Sequence, residues 1–465
     1  MMTTESTLAL AIFLATVLFL LWRPKEINEA IPPAIGATLL YCLGIVSFTD
    51  MRYVFDTVTG ASITIISTMA MSIVLESMGF FRWVAFNLVA KSGGSGTRLY
   101  WNVILLCFLT TMFFNNDGSI VITTPIIIEI VNILELTPRQ QFPYLLSGAI
   151  IATASSAPIG VSNLANLIAL KIVGVDLITH TKYMFVPSMM GLITISILFF
   201  LYFRKDIPLR IPAFSRVCML LYRRNIHNYD RPPKHDHPPK HDHPLANSKK
   251  QAHSINWVMF RVYMTVIIVV RVCLFIFSYY GIPIEGVAAL GALIVILIRW
   301  CSQGTGISDV LKKTPWHVFI FAFGMYLVVY GLHNAKFTDL IIQWIKEPVS
   351  ANLGNAILII GILVTVMASL FNNHPSIMLG TIIITNMGLA QNYFQIAYLA
   401  IILGSDVGSL ILPSGTLASL IWMFILKNNG IAVTWKQYIK ATILIIPIGL
   451  LVSLLSLYWW TLLIS

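Results

Sequence analysis

The stretch Thr111-Met112-Phe113-Phe114-Asn115-Asn116-Asp117-Gly118-Ser119-Ile120-Val121 lies inside an apolar run from about Tyr100 to Leu136. A helical crossing of a bilayer takes about 20 consecutive apolar residues, and here the run is interrupted after only about 15, by amides, an acid and a glycine. The chain has then gone roughly halfway through. Arg98 and Arg139 flank the run, and basic residues mark the cytoplasmic side. Both ends therefore belong on one side, and the pattern predicts a re-entrant hairpin over about 100–136 with Asn-Asn-Asp at its tip. Irregular backbone at that depth has to be buried in protein or line a wet cavity.

The tip has a copy further along. Phe371-Asn372-Asn373-His374, followed by Ser376-Ile377, repeats Phe114-Asn115-Asn116-Asp117, followed by Ser119-Ile120, and predicts a second hairpin over about 355–390. After each hairpin comes a run long enough to cross whose middle is full of small, hydroxyl, Pro and Gly residues. These middles are Ala154-Ser155-Ser156-Ala157-Pro158-Ile159-Gly160-Val161-Ser162-Asn163, and Gly404-Ser405-Asp406-Val407-Gly408 through Pro413-Ser414-Gly415-Thr416. They predict broken helices over about 144–170 and about 394–426. Ile31-Pro32 is echoed by Ile282-Pro283, so whole halves share one order of elements and the chain is a duplication. Counted as five full crossings and one hairpin each, the halves have an odd number of spans, which turns the second copy upside down.

The expected architecture is an all-α polytopic membrane protein of two inverted repeats, 1–203 and 256–465, joined by a linker over 204–255. Paired interrupted helices in inverted repeats point to a secondary transporter whose site lies near the bilayer midplane.

Composition agrees. Of 465 residues, 57% are hydrophobic and 11% charged, against roughly 25% charged in a soluble domain, which excludes a soluble enzyme or globular binding module. The net charge of +11 is concentrated in the linker, where 11 of the 30 Lys and Arg fall between Arg204 and His253. That concentration marks a cytoplasmic segment, not a nucleic-acid surface. The linker carries Pro232-Pro233-Lys234-His235-Asp236-His237 twice, a solvated composition that builds no core and no closed metal site. Glu5 before the first apolar run, and Arg23 and Lys25 after it, place the N-terminus outside, and the span count places the C-terminus there too. Five scattered cysteines give neither a disulfide framework nor a metal-ligand spacing. There is no Walker-type phosphate loop, so the chain does not itself hydrolyse ATP.

Hairpin tips and helix breaks expose backbone polar groups and half-helix dipole ends. Asn115, Asn116, Asn372 and Asn373 add both donors and acceptors there, and Ser155, Ser156, Ser162, Asn163, Ser405, Ser414 and Thr416 add adaptable hydroxyls and an amide. This inventory suits a small neutral oxygen-rich solute or a small anion. Asp117 and Asp406 are acids at membrane depth and candidate proton or sodium coupling groups, with half-helix capping as the alternative for each. His374 stands where the first copy has Asp117 and is the third coupling candidate, or else a hydrogen-bonded tip residue. Arg271, inside an apolar run, is expected to snorkel outward. A membrane hydrolase built on Ser119 or Ser376 near His374 would leave the duplication unexplained.

Asn116-Asp117-Gly118, Phe323-Gly324-Met325-Tyr326-Leu327-Val328-Val329-Tyr330-Gly331-Leu332, Asn372-Asn373 followed by Pro375, and Gly404-Ser405-Asp406 through Gly415-Thr416-Leu417-Ala418 resemble the ArsB-type arsenite efflux permeases of the ion transporter superfamily. The resemblance runs from Trp22-Arg23-Pro24-Lys25 to the C-terminal crossing and leaves out only the linker. It implies a scaffold and a transport domain, an elevator-like step, and export of arsenite and antimonite in exchange for protons across the cell inner membrane. No cofactor is implied, while an ArsA-type ATPase and a homodimer are among the partners such permeases use. Asn116, Asp117, Asn372, Asn373, Ser162, Asn163 and Asp406 would form the site. Asn115 stands where Ala is common, His374 where Met is common, and Thr153 where an acid is expected before the first break. The alternative within the superfamily is an organic-anion carrier or a sodium/proton antiporter, whose relatives show Ser-Asn-Thr at the tips.

Overall fold

A computed structural model of the chain describes residues 4–22, 27–211, 257–303, 308–314 and 316–464. Every regular element among them is helical. Before the linker run α1 (Thr4–Trp22), α2 (Ile31–Cys42), α3 (Phe48–Ser77), α4 (Phe80–Lys91), α5 (Gly96–Phe113), α6 (Asn116–Ile133), α7 (Pro138–Ala154), α8 (Leu164–Val173) and α9 (Leu177–Phe203). After it run α10 (Trp257–Tyr279), α11 (Ile284–Gln303), α12 (Ser308–Lys313), α13 (His317–Asn334), α14 (Phe337–Ala351), α15 (Leu353–Phe371), α16 (Asn373–Met387), α17 (Gln391–Asp406), α18 (Leu417–Asn428) and α19 (Trp435–Ile464). Ten helices among the described residues are long and apolar enough to cross a membrane. The chain is a multi-pass, all-α membrane protein.

The interruptions in the apolar runs arise from capping. Asn115 is extended (φ −164°) and its Oδ1 accepts the Gly118 N–H at 2.6 Å, so α5 stops and α6 starts within two residues. At the second interruption Asn372 does the same work toward the His374 N–H, at 3.4 Å. In both hairpins the outgoing helix packs on the incoming one, α6 on α5 and α16 on α15. After α7 the chain passes through turns and a 3-10 turn (Gly160–Ser162) before Asn163 caps α8. After α17 it passes through 3-10 turns over Gly408–Ile411 and Pro413–Gly415 before Thr416 caps α18.

Packing then crosses between the halves. The half-helix after each break lies on the other half's hairpin: α8 packs on α16, and α18 packs on α6. Around them α3 lies along α11, α2 along α13, and α9 along α19. The α9–α19 pair approaches through Gly191 and Gly449, small residues of the kind that let membrane helices come close without a hydrophobic driving force. Of an 18-residue apolar stretch within Gln391–Ile411, 83% of the residues are buried, against 28% in each of Trp257–Tyr279 and Ile284–Ser302. The second broken helix is thus enclosed by protein, and the apolar outer faces of α10 and α11 are left for lipid.

Two stretches ahead of the first hairpin differ from what their composition suggests. The apolar run over about 34–48 is the 12-residue α2, about 18 Å long at 1.5 Å per residue and too short to span alone. Pro32 and Pro33 favour that beginning, since proline's fixed φ and missing N–H cost nothing in a helix's first turn. The polar, basic segment around Arg82 and Lys91 is helical, as α4, and its counterpart after the linker is α14. Most of the linker, with its His and Pro units, lies outside the described residues.

Candidate functional site

Asp406 is the last residue of α17, and its carboxylate faces the start of α8 in the other half. Oδ1 accepts from Asn163 Nδ2 at 2.9 Å; Oδ2 accepts from Ser156 Oγ at 2.7 Å and Asn166 Nδ2 at 2.7 Å. All four residues are buried. Asp406 therefore caps no helix of its own. Its charge instead sits at the positive end of α8, whose first turn supplies two of the three donors. No cation pairs with it among the described residues, so three neutral donors and a helix end are all that hold a carboxylate inside the protein.

The first hairpin tip is different in kind. Asn115 and Asn116 are buried, and each spends its amide oxygen on the helix it starts, on Gly118 N and Asp117 N respectively. Their Nδ2 groups have no partner, nor do Asp117 Oδ1, Ser119 Oγ, Ser162 Oγ and Asn166 Oδ1. Asp117 is in the first turn of α6 and in electrostatic reach of both Asp406 and Glu29. Buried polar atoms are normally satisfied, and a group of them left open at one tip and the adjoining break calls for a ligand or water.

The second tip is satisfied by its own chain. Asn372 Nδ2 donates to Ser414 O, Ser405 Oγ to Asn373 O, Ser414 Oγ to Ser369 O, and Ser369 Oγ to Gly408 O, each at 3.3 Å. His374 Nδ1 meets Asn373 Oδ1 at 2.9 Å and its ring stands edge-on to Phe321. His374 is thus a packed tip residue, in hydrogen-bond contact with no acid among the described residues. Thr416 and Ser419 bond each other at the start of α18, with Tyr438 beside them.

Of the candidate residues, the structure joins Asn163 to Asp406, and it places Asn115, Asn116 and Asp117 together at the first tip. It gathers Asn372, Asn373, His374, Ser405 and Ser414 into the closed second tip, and Thr416 into a hydroxyl cluster of its own. Ser156, one of the hydroxyls of the first break, joins Asn163 at Asp406. Asn166 stood outside the candidate set; it follows Asn163 by three residues, a spacing that puts both amides on one side of a first helical turn.

Behind the cup, His180 of α9 is buried, its Nε2 donating to Ala157 O at 3.1 Å while Nδ1 meets Tyr398 Oη of α17 at 3.1 Å. It ties both sides of the cup together. No sequence signal marked it, because its partners are remote in the chain. Arg271 corrects an expectation. It does not snorkel outward but is buried, with Nη2 donating to Phe114 O at 2.6 Å. Among the described residues no group of three or more His, Cys, Asp or Glu could hold a metal ion.

Residues 7–404 match the family described as Citrate transporter. A Bacillus subtilis (strain 168) protein, named provisionally as an arsenical pump membrane protein, is 48% identical over 96% of this chain and 98% of its own length. The chain belongs to the arsenical pump family of membrane transporters. Members named as arsenical pump membrane proteins in Escherichia coli and Yersinia enterocolitica are 28% and 26% identical, each over 97% of this chain and 98% of its own length. The family's members are transport proteins, not catalytic enzymes. Its likeness to this chain runs through both tips and both breaks.

Proposed function

We propose that the chain exports arsenite, and antimonite with it, in exchange for protons, with the Asp406 cup as the coupling group and the first hairpin tip as the solute site. The single observation that carries this is Asp406: a buried carboxylate held by Ser156, Asn163 and Asn166 with no cation paired to it. A charge so placed is costly unless neutralised, and a proton is the smallest neutraliser. The cup suits both states of the acid. Asn166 Oδ1 has no partner, and half a turn of its amide presents that oxygen to a protonated Asp406.

The cargo fits the tip by chemistry. Arsenous acid near neutral pH is an uncharged trihydroxy molecule, which Asn115, Asn116, Ser119 and Ser162 can hold without burying an unpaired charge. The names of the relatives, which speak of arsenical pumps, support the same cargo. In this reading residues 1–203 and 256–465 are inverted repeats, with Asn372, Asn373, Ser405 and Ser414 stiffening the second tip as the hairpins and broken helices move in an elevator-like step. The match to the citrate-transporter family favours an organic anion as the second reading.

The test is accumulation in inside-out vesicles energised by respiration without ATP. Arsenite uptake that collapses with a protonophore and is lost in Asp406→Asn is the expected result. Citrate uptake with none of arsenite, or arsenite uptake indifferent to the protonophore, refutes it.

A further inference from the structure

Arg271 is a full charge from α10 placed against the first hairpin tip. It is 7% exposed, and Nη2 donates a hydrogen bond to the carbonyl of Phe114, where α5 ends. Its Nε and Nη1 have no hydrogen-bond partner, and no carboxylate pairs with it among the described residues. The two residues after Phe114 are Asn115 and Asn116, whose Nδ2 groups are likewise buried and unpartnered. A helix C-terminus accounts for a cation on the Phe114 carbonyl. It does not account for the remaining N–H groups, which stay unpartnered beside a tip whose Asn115 and Asn116 amide nitrogens are unpartnered too, as is the Asp117 Oδ1 that any anion there would have to meet in its protonated form. Guanidinium is the side chain best shaped to meet an oxyanion with two parallel bonds while staying charged.

We infer that Arg271, with the Asn115 and Asn116 amides, forms a donor face that takes an ionised oxygen of the cargo, a small oxyanion, at the first tip. This goes beyond the reading above, in which the cargo is held uncharged: it gives the same tip a preference for the guest's ionised form, and it rests on that reading only for the tip being the solute site. The free N–H groups are closed off from solvent in this conformation, so the anion reaches them when the tip and α10 part. Arg271 then exchanges a main-chain carbonyl for the cargo, and the same residue that closes the tip selects what enters it.

The test is titration of the full-length protein in lipid nanodiscs with sodium formate at pH 7, and with arsenite at two pH values either side of its first ionisation. The chains compared are wild type, Arg271→Lys and Arg271→Gln. Wild type is expected to bind formate, and Arg271→Gln to bind it about tenfold more weakly or worse, the loss expected for a charge-assisted hydrogen bond. Wild-type affinity for arsenite should rise with its ionised fraction, and that rise should vanish in Arg271→Gln. Should that variant not assemble, Arg271→Lys decides: weaker formate binding is expected because an ammonium lacks the planar fork, and unchanged affinity overturns the inference. So does formate binding that is absent from wild type or unaffected in Arg271→Gln, or an equal loss for neutral and ionised arsenite, which would leave Arg271 a helix cap. Formate bound through Arg271 with arsenite neither bound nor carried removes the proposed cargo and leaves the donor face standing; arsenite export with a silent formate arm does the reverse.

Discussion

Two hairpin tips with the same Phe-Asn-Asn start have opposite polar economies. At the second, Asn372, Asn373 and His374 are bonded to their own hairpin or to the break that follows it. At the first, Asn115 and Asn116 commit only their oxygens, and four side-chain atoms from Asn115 to Ser119 are left without a partner. Two tips with one sequence start thus differ in what their polar groups do: the first leaves buried groups unpartnered, and the second spends its own on internal bonds. The backbone records the same division. Asn115 is extended, while Asn372 has φ 81° with ψ 154°, a region that residues other than glycine rarely enter and that surrounding bonds must hold.

The contrast can be broken from either side. The largest effect is expected from His374→Asp, which copies the first tip's acid into the second. There it would be buried against Phe321 with no cation to pair with, and about 3 kcal/mol of stability should go, seen as a lost or much lowered melting transition in detergent. Asn372→Ala comes next. It removes the bond to Ser414 yet keeps a Cβ at the strained position, for about 2 kcal/mol of lost stability. Asn116→Ala at the first tip should cost about 1 kcal/mol or less, since only the local bond to Asp117 N is removed. Its cut should instead appear in transport rate, by about tenfold if one hydrogen bond to the solute is lost. Equal melting temperatures for Asn372→Ala and Asn116→Ala would erase the distinction between the tips. The smallest change is Thr416→Ala, which removes a helix cap away from the cup: about 1 kcal/mol, with arsenite uptake per folded molecule unchanged.

The two breaks repeat the lesson. Asp406 ends α17 in the second half, and Asn163 and Asn166 start α8 in the first, so the cup belongs to neither copy alone. Ala154 and Ser155 end α7 where the second copy has its acid, and Thr416 and Ser419 start α18 where the first has its amides. The cup therefore exists once among the described residues. Asn163 was legible as a site residue because it sits in a break rich in small and hydroxyl residues. Asn166 was not, since beyond a break an Asn in an apolar helix looks like any other polar residue of a membrane span. Arg271 was misjudged for a related reason. Whether a basic residue in an apolar run faces lipid or protein depends on its helix's rotation, and only the packing of α10 near the first tip settles that.

The sequence by itself determined the membrane class, the two points at which an Asn cap restarts a helix, and the two breaks. Each of those follows from local rules: the length of an apolar run, the residues that cap a helix, and the amides and prolines that stop one. Only the tertiary structure decided which tip is open and which closed, that Asp406 is held by the opposite half, and that Arg271 points inward. Those outcomes depend on contacts between α8 and α16, α18 and α6, and α10 and the first tip. Partners so far apart in the chain leave no spacing to read, and it is the shared burial of their polar atoms that selects them.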